Sequence, residues 1–546
     1  MRLFPFVRSA VLVIAALVPV VHAADHVTQL QTDAVRDKTS PLGHWGTDPA
    51  KYSNWGSHSN RLVPVYTFGT RGAGQGIDLS DYVGQHSPYR RSEKIRAVYG
   101  HVPTNTLNPE AQYLDQSNVG DIQRAALEAG RKYIFLVVFD GMDWQTTRAA
   151  AVYNKKKVAY NAGRGTGLHL LDYTAQGTSQ FGFMVTAPTV NKAKTDVDSQ
   201  QVAPADAAVP GGYNADKGGS APWKTGADVH YLIGKSSTAQ PGEHTYVDSA
   251  ASATAMTTGV KTYNGAINVD STGQPLATIA HRAQQLGYAV GAVTSVPISH
   301  ATPAASYAHN VTRNDYQDIT RDLLGLPSTA HPDAPLPGLD VLIGAGYGVT
   351  KETDKGQGAN FAPGNRYIAP ADLKRIDVAR GGQYVVVQRE SGTNGTDRLL
   401  AAADRAVDKK TRLFGMFGVS TGHLPFRTAD GKYDPAPNVS RDPEAYSEAD
   451  VQENPKLADL TNAAIRVLST NTKGFCLMVE AGDVDWANHA NNLDTSIGAV
   501  LSGDNAVRAI TRWVEQHSNW DESLLIVTAD HGHYLVLTRP ELLIAK

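Results

Sequence analysis

The sequence has a single cysteine, Cys476, among its 546 residues. One cysteine excludes an intrachain disulfide and any zinc site built from cysteine pairs. A metal ion bound by this chain must therefore be held by histidine, aspartate and glutamate, and 18 histidines are available.

The chain also lacks an excess of positive charge and, beyond its N-terminus, any apolar run of membrane-spanning length. Its 50 Lys and Arg stand against 53 Asp and Glu, which gives a formal net charge of -3. This balance argues against nucleic acid as the main partner, except through phosphate ends, and no membrane partner is expected. A hydrophobic content of 41% is enough for a large packed core and excludes a mostly disordered chain.

The N-terminus has the pattern of a secretory signal peptide. Arg2 and Arg8 precede an apolar stretch at 10–21, and Val21 and Ala23 place apolar or small residues at the positions that determine cleavage. The stretch is shorter than the roughly 20 residues that span a bilayer. We therefore predict a signal peptide at 1–23, cleaved after Ala23, and a mature protein that is exported to the periplasm or the medium.

Predicted helices and apolar strands alternate through much of the chain. A helix at 119–132 leads into a continuous apolar strand at 133–139, and helix–strand pairs return at 276–294 and twice within 457–528. Such alternation is typical of a mostly parallel sheet with helices on both faces. The predicted fold class is therefore α/β, with three layers (α/β/α) around a large central sheet.

We predict a single catalytic domain over residues 24–546. Residues 25–118 are rich in Gly, Ser, Asn, Tyr and His, which indicates loops and short strands. The stretches 186–243 and 391–454 lack a clear period, and we predict that both are insertions on the surface.

Three apolar strands are followed by acidic residues. Asp140 follows Phe139, Glu480 follows Val479, and Asp530-His531 follow the strand that ends at Thr528. In parallel sheets the ligand crevice lies beyond the carboxyl ends of the strands. One acid there is typical of a helix cap, but three together would repel and are usually neutralised by cations. The pattern therefore favours a metal site.

A fourth segment strengthens the metal hypothesis. Asp485 and His489 are four residues apart, so on a helical turn they face the same side and can share a metal ion. Alone, the segment would be a polar helix start. With Asp530-His531, the chain has ligands for two cations, zinc where nitrogen and oxygen mix and a harder ion where only oxygens gather.

A nucleophile is indicated by the small residues around Ser249, which predict a helix beginning there. A serine at that position is by default a helix cap. The same position has a functional interpretation, because helix N-terminal N–H groups favour an alkoxide or a bound phosphate. A neighbouring zinc ion would lower the pKa of the hydroxyl further.

Together these segments resemble the alkaline phosphatase family, and its bacterial members in particular. The resemblance rests on five motifs in the family's order, at 139–142, 248–265, 300–305, 480–489 and 528–531. The motif around Ser249 is highly specific. The resemblance implies an alkaline phosphatase-like fold and an exported, metal-dependent phosphomonoesterase that forms a phosphoserine intermediate.

The resemblance implies roles for the residues of two zinc sites. Ser249 would be the nucleophile, in contact with a zinc ion held by Asp140, Asp530 and His531. A second zinc ion, held by Asp485 and His489, would bind the leaving oxygen and later the attacking water.

It also implies a third site and a phosphate clamp. Thr302, Glu480 and His300 would hold a third ion, usually magnesium, towards which Asp140 would also bridge. His300 stands where some members have aspartate and Trp486 where others have a basic residue, so another divalent ion or zinc itself remains an alternative. Arg313 would grip the phosphate, because its planar fork suits two phosphate oxygens. The remaining two implied roles, orienting Arg313 and supporting the ligands, fall to Asp248 and His533.

One ligand of the family is missing from its usual place. The second zinc ion normally takes another histidine well beyond the Asp-His pair, and no suitable histidine follows His531 here. The segment from Trp55 to Tyr66, with His58, resembles the missing motif. We predict that 40–70 is a circularly permuted segment that supplies His58. The alternative is a loop histidine and an incomplete site.

Two other functions remain open on the sequence. One is a related phosphodiesterase of the same superfamily; a sulfatase is less favoured, because Ser249 lacks the Pro- and Arg-containing motif of those enzymes. The other is a non-catalytic phosphate- or metal-binding protein, if the second zinc site is incomplete. The sequence does not indicate the natural substrate or the oligomeric state.

Overall fold

The computed structural model describes residues 25–189, 191, 193–203, 211–234, 244–436 and 444–545. The predicted signal peptide, 1–23, lies outside the described residues. The strands within these ranges are β1 Gly43–Trp45, β2 His58–Ser59, β3 Val63–Phe68, β4 Leu114–Asp115, β5 Tyr133–Phe139, β6 Gln180–Val185, β7 Lys194–Asp196, β8 Gln201–Ala203, β9 Ala289–Pro297, β10 Val341–Ala345, β11 Thr350–Lys351, β12 Gly364–Asn365, β13 Tyr384–Gln388, β14 Arg412–Met416, β15 Phe475–Ala481, β16 Ser523–Thr528, β17 Gly532–His533 and β18 Leu535–Leu537.

The α-helices of the same ranges follow the alternation that the sequence indicates. They are α1 His26–Asp37, α2 Ser92–Tyr99, α3 Ser117–Glu128, α4 Trp144–Lys155, α5 His169–Asp172, α6 Ala215–Gly218, α7 Val229–Leu232, α8 Ser249–Thr258, α9 Ile279–Gln285, α10 Ala301–Ala304, α11 Tyr316–Leu324, α12 Pro370–Ile376, α13 Gly395–Lys409, α14 Glu448–Gln452, α15 Leu457–Leu468, α16 Asp483–His489 and α17 Leu493–His517. The predicted helix–strand stretch 457–528 begins with α15 and ends with β16, at the same residues as in the structure. The ends of the other predicted helices differ from those in the structure by a few residues.

Ten strands form one sheet, in the order β13-β14-β10-β9-β15-β5-β16-β3-β6-β4. The first seven strands in this order, from β13 to β16, are parallel to their neighbours within that run. Strand β3 runs antiparallel to both of its neighbours, β16 and β6. The prediction of a large, mostly parallel sheet is confirmed.

Helices cover both faces of this sheet. Successive side chains of a strand point to opposite faces. On β5, Ile134 lines a small cavity with Gln123 of α3 and Thr257 of α8, whereas the ring of Phe135 packs against Trp513 of α17, with centroids 6.1 Å apart. The three-layer arrangement follows.

Two regional predictions are wrong in part. The stretch 391–454, predicted as a surface insertion, includes α13 and β14, and β14 lies inside the sheet between β13 and β10. Leu413 and Phe414 are fully buried there. The apolar face of α13 and the short apolar run after it are core elements, which the surrounding Pro- and Asp-rich loops obscure.

The N-terminal stretch 25–118 is also more regular than predicted. It forms α1 and α2, and it supplies β3 to the interior of the sheet. Proline within a run argues against a central strand, and Pro64 lies within β3. The strand is nevertheless held on both sides, by β16 and β6.

The insertion predicted at 186–243 stays a prediction. Its described part holds the small antiparallel pair β7–β8, most of whose residues are exposed. In the described ranges, no helix has the length and apolar character needed to cross a membrane.

Candidate metal centre and nucleophile

Three adjacent strands carry the predicted acids to one edge of the sheet. The strands β15, β5 and β16 are parallel neighbours, with Ala481 opposite Phe139 and Thr528 opposite Val138. Glu480 is the penultimate residue of β15, Asp140 directly follows β5, and Asp530 comes two residues after β16. All three acids are buried. The structure therefore brings these carboxylates to one edge of the sheet, where the sequence analysis expects them.

The first donor cluster joins Asp140, Asp530 and His531. Their ligand atoms lie within 4.8 Å of one another. The Nε2 atom of His531 is 3.3 Å from a carboxylate oxygen of Asp140 and 3.2 Å from one of Asp530. One oxygen of each carboxylate is buried without a hydrogen-bond partner, as a metal ligand would be.

The second cluster contains the pair predicted from helical spacing. In α16, Nε2 of His489 lies 3.4 Å from Asp485 Oδ2. His58 lies beside them, although it is more than 400 residues away in sequence. Its Nε2 is 3.3 Å from Nε2 of His489 and 3.6 Å from Asp485 Oδ1. The structure thus places His58 beside Asp485 and His489, the two residues with which the sequence analysis groups it.

The tautomers of the two histidines show that this cluster fits a cation. The Nδ1 of His58 lies 2.9 Å from the carbonyl oxygen of Val247, and the Nδ1 of His489 lies 2.6 Å from that of Gly56. A carbonyl only accepts, so each Nδ1 carries the hydrogen and each Nε2 carries a lone pair. Two lone pairs then face each other across 3.3 Å, and a cation or a proton between them removes the repulsion.

A pair of short strands holds His58 in place. β2 pairs antiparallel with β17, with His58 opposite His533. The Nε2 of His533 lies 2.7 Å from Asp485 Oδ1, and because a carboxylate accepts, His533 is the donor. His533 therefore contacts Asp485 directly, and its role as a supporting residue stays a prediction.

The predicted third site is only partly assembled. The Thr294 hydroxyl donates to Glu480 Oε2, while Glu480 Oε1 and the hydroxyl of Thr302 are buried without a hydrogen-bond partner. His300 lies instead between aromatic rings, stacked on Tyr316 at 6.0 Å and at an angle to Trp486 at 5.7 Å. Among the described residues, no donor cluster includes His300.

The nucleophile candidate opens α8. The N-cap is Asp248, whose carboxylate accepts from the N–H of Ala251, and Ser249 is the first helical residue. The Ser249 hydroxyl is therefore not used for capping. Its Oγ lies 3.2 Å from Nε2 of His531, next to the first donor cluster. The other oxygen of Asp248 accepts from Arg313 at 3.1 Å.

The pKa shifts describe charges that repel in the absence of metal. Burial, with the charges of Asp485 and Asp530, raises the pKa of Asp140. Burial raises the pKa of Asp530 to about 7 and that of Glu480 to about 8. It lowers the pKa of His531 well below the usual value. Divalent cations favour ionised carboxylates, the opposite of what these raised pKa values favour, and neutral imidazoles with a free lone pair, the form that the lowered pKa of His531 already favours.

Sequence reasoning missed some neighbours of the cluster. Gln116 donates to the carbonyl of Asp530 at 2.7 Å and to the hydroxyl of Ser252 at 2.5 Å. Thr294, on β9, holds Glu480. A polar residue near the end of an apolar strand is a signal that could have identified Thr294, whereas Gln116 has no local signal because its partner lies 414 residues away.

Comparisons with known proteins agree with these motifs. The family model described as alkaline phosphatase matches residues 213–541, more than half of the chain. Alkaline phosphatase H of Pseudomonas aeruginosa is 35% identical over 58% of this chain and 63% of that protein. Alkaline phosphatase of Escherichia fergusonii is 33% identical over 58% of this chain and 64% of that protein. The chain thus spans less than two thirds of the length of these relatives. A solved cold-active alkaline phosphatase from a psychrophilic Shewanella is 24% identical, with a TM-score of 0.41, over 73% of this chain and 68% of that chain.

Proposed function

Because the chain belongs to the alkaline phosphatase family, we propose that it is a metal-dependent phosphomonoesterase with Ser249 as its nucleophile. The observation that carries the proposal is the position of the Ser249 hydroxyl, 3.2 Å from Nε2 of His531 in the cluster with Asp140 and Asp530. A hydroxyl beside paired cation sites is the arrangement that phosphoryl transfer requires.

We propose three cation sites from the donor chemistry. Asp140, Asp530 and His531 would hold one zinc ion, and Asp485, His489 and His58 a second; mixed imidazole and carboxylate ligands suit zinc. Glu480 and Thr302 offer only oxygen, which suits magnesium. His300, which lies between rings, adds no ligand to that set. When bound, these cations stabilise the negative charge of the attacking and leaving oxygens.

In this mechanism the Ser249 Oγ attacks phosphorus in line with the ester oxygen. The bond from Oγ to phosphorus forms, the bond from phosphorus to the ester oxygen breaks, and the hydroxyl proton goes to the departing alcohol. Water then attacks the phosphoserine, which releases inorganic phosphate and restores the Ser249 hydroxyl. Arg313, positioned by Asp248 at 3.1 Å, binds two of the non-reacting phosphate oxygens. Small-molecule phosphate monoesters are the expected substrates.

The test is the hydrolysis of p-nitrophenyl phosphate by the zinc- and magnesium-loaded protein. We expect turnover in the wild type and a loss of at least about 1000-fold in Ser249→Ala, with unchanged metal content. The matched control is Ser252→Ala on the same helix, whose hydroxyl donates to the backbone of Asp530. That control should keep most of the turnover.

Two outcomes would favour the alternative functions. Faster hydrolysis of bis(p-nitrophenyl) phosphate than of the monoester would assign a phosphodiesterase. Binding of phosphate and metal without turnover of either ester would assign a non-catalytic binder.

We also propose that residues 40–70 are a permuted segment. The support is that His58 completes the second cluster from a position in the sequence where the family's motif does not normally occur. Exposed, neighbouring chain ends make such rearrangements tolerable in a folded domain.

Export is a further part of the proposal. The apolar stretch at 10–21 after Arg2 and Arg8 has the form of a signal peptide. N-terminal sequencing of protein recovered from the periplasm or the medium should begin at Ala24. A sequence that begins at Met1 would contradict this assignment.

A further inference from the structure

A third group of potential metal ligands lies outside the catalytic residues. It consists of His309, after α10; Asp322, in α11; and His331, in the loop that follows α11. One ligand atom from each lies within 4.8 Å of the others. The group shares no residue with the proposed catalytic centre.

The hydrogen bonds of His309 show which of its ring nitrogens carries a lone pair towards this group, although that nitrogen is also within hydrogen-bond distance of His331. Its Nε2 lies 2.9 Å from the carbonyl oxygen of Leu276, so Nε2 carries the hydrogen. Its Nδ1 therefore carries the lone pair, and it faces Nε2 of His331 at 2.8 Å. A histidine that donates one ring nitrogen to a carbonyl and presents the other is the usual form of a metal ligand.

Asp322 supplies a carboxyl group in a buried position. Its side chain has no exposed surface, and within the described ranges its ion-pair partner is His331, with Nε2 at 3.7 Å from Asp322 Oδ2. The carboxylate also accepts from the N–H of His309 at 2.9 Å and from the hydroxyl of Ser328 at 2.5 Å. These bonds fix the direction of the carboxylate but supply no positive charge.

The distances fit zinc. Ligands 2.0 to 2.1 Å from a tetrahedral ion are about 3.3 Å apart. The separations of His331 Nε2 from His309 Nδ1 and from Asp322 Oδ2, 2.8 and 3.7 Å, lie on either side of that value. Two imidazoles and one carboxylate are ligands that zinc prefers, with water in the fourth position.

His281, although close, is not part of the ligand set. Its ring lies 5.1 Å from that of His309. Its Nδ1 accepts the N–H of Thr278 in a capping box, so the hydrogen of the neutral ring is on Nε2. A nitrogen that carries hydrogen cannot bind metal, so His281 provides a nearby control residue.

We propose that His309, Asp322 and His331 form an additional zinc site, with water as the fourth ligand, that fastens the segment 309–331 to the body of the protein. The site closes a loop whose ends are brought together by the metal ion. This zinc site does not depend on the phosphomonoesterase activity, although Arg313 lies between His309 and Asp322 in the sequence. Metal binding of this kind contributes directly to folding free energy.

The test compares the zinc content of the full-length wild type, His331→Gln and His281→Gln. Each protein is dialysed first against a buffer that contains zinc and then against a zinc-free buffer. His331→Gln should bind about one zinc ion fewer per chain than the wild type. His281→Gln should bind as much as the wild type, because glutamine at that position keeps the capping acceptor. In hydrogen exchange, zinc should protect residues 309–331 in the wild type and in His281→Gln, but not in His331→Gln.

Asp322→Asn is a second variant in case His331→Gln does not fold, and it should lose the same zinc ion. Equal zinc content in the wild type and in whichever of these two variants folds would overturn the proposal. Hydrolysis of p-nitrophenyl phosphate is measured in parallel. An inactive wild type that still loses one zinc ion in His331→Gln would refute the proposed function and leave this inference standing.

Discussion

The imidazole rings of His58 and His531 are stacked, with their centroids 3.5 Å apart and their planes 17° from parallel. His58 lies beside Asp485 and His489, and His531 belongs to the cluster of Asp140 and Asp530. The ligand atoms of His58, Asp485, His531 and His533 also lie within 4.8 Å of one another. The stacked pair therefore joins the two donor clusters directly, and a change at either ring will affect both.

Replacement of His58 tests its assignment as a ligand. We expect His58→Gln to lose about one zinc ion per chain and at least about 100-fold in monoester turnover, since even the partners behind a ligand are worth 10- to 100-fold. His44→Gln is the matched control, because His44 is also buried and also lies on a short strand, β1, but belongs to neither donor cluster. Metal analysis and kinetics that do not distinguish the two variants would remove His58 from the centre.

Arg313 is expected to act on phosphate binding. Arg313→Ala removes charged hydrogen bonds worth about 1.5–3 kcal/mol each, so the inhibition constant for inorganic phosphate should rise about 10- to 100-fold. Arg124→Ala removes a comparable arginine–aspartate pair, with Asp121 at 2.9 Å, at the protein surface. Phosphate inhibition that is unchanged in Arg313→Ala would exclude the clamp.

Metal affinity should fall as the pH falls. In the metal-free protein, burial raises the pKa of Asp530 to about 7 and that of Glu480 to about 8. Below those values a bound proton must leave before a cation can bind, whereas above them it need not. Apparent zinc affinity should therefore fall about 10-fold per pH unit per proton displaced below about pH 7. Chelator competition from pH 5.5 to 8.5 measures this slope, and a flat profile would contradict it.

Gly141 separates backbone strain from a steric clash at the centre. It follows Asp140 with φ +73°, and an added Cβ would lie 2.9 Å from the ring of His533. Gly130 has φ +79° with nothing within 4 Å of such a Cβ. Both alanine variants should lose about 1–2 kcal/mol of stability from the backbone conformation.

Only Gly141→Ala should also lose zinc and turnover, because it displaces His533 from Asp485. Denaturation midpoints, metal content and turnover are measured for both variants. Equal zinc content in the two proteins would show that the His533–Asp485 contact is not needed for metal binding.

The sequence predicts those parts of the site that depend on short-range rules. Parallel strands share an edge, which brings together Asp140, Glu480 and Asp530, and helical spacing pairs Asp485 with His489. The prediction of a third site is less complete, since Thr302 and Glu480 keep unpartnered oxygens while His300 packs between Tyr316 and Trp486.

Long-range contacts limit the rest of the prediction. The bond from Gln116 to the carbonyl of Asp530 depends on the packing of α3 against the end of β16, which no local pattern encodes. The interior position of β3 in the sheet was hidden by Pro64, and that of β14 by the loops on either side. In each case tertiary packing overrides the local signal.

The pairing of β3 with β16 also bears on how the protein is made. Thr528 donates to the carbonyl of Pro64 across 464 residues of chain. At a translation rate of 5–20 residues per second, β3 leaves the ribosome about 20 to 90 s before its neighbour exists. During that interval an apolar strand has no partner on that side. A nascent chain of this design therefore depends on chaperones, or on transport before folding, to avoid aggregation.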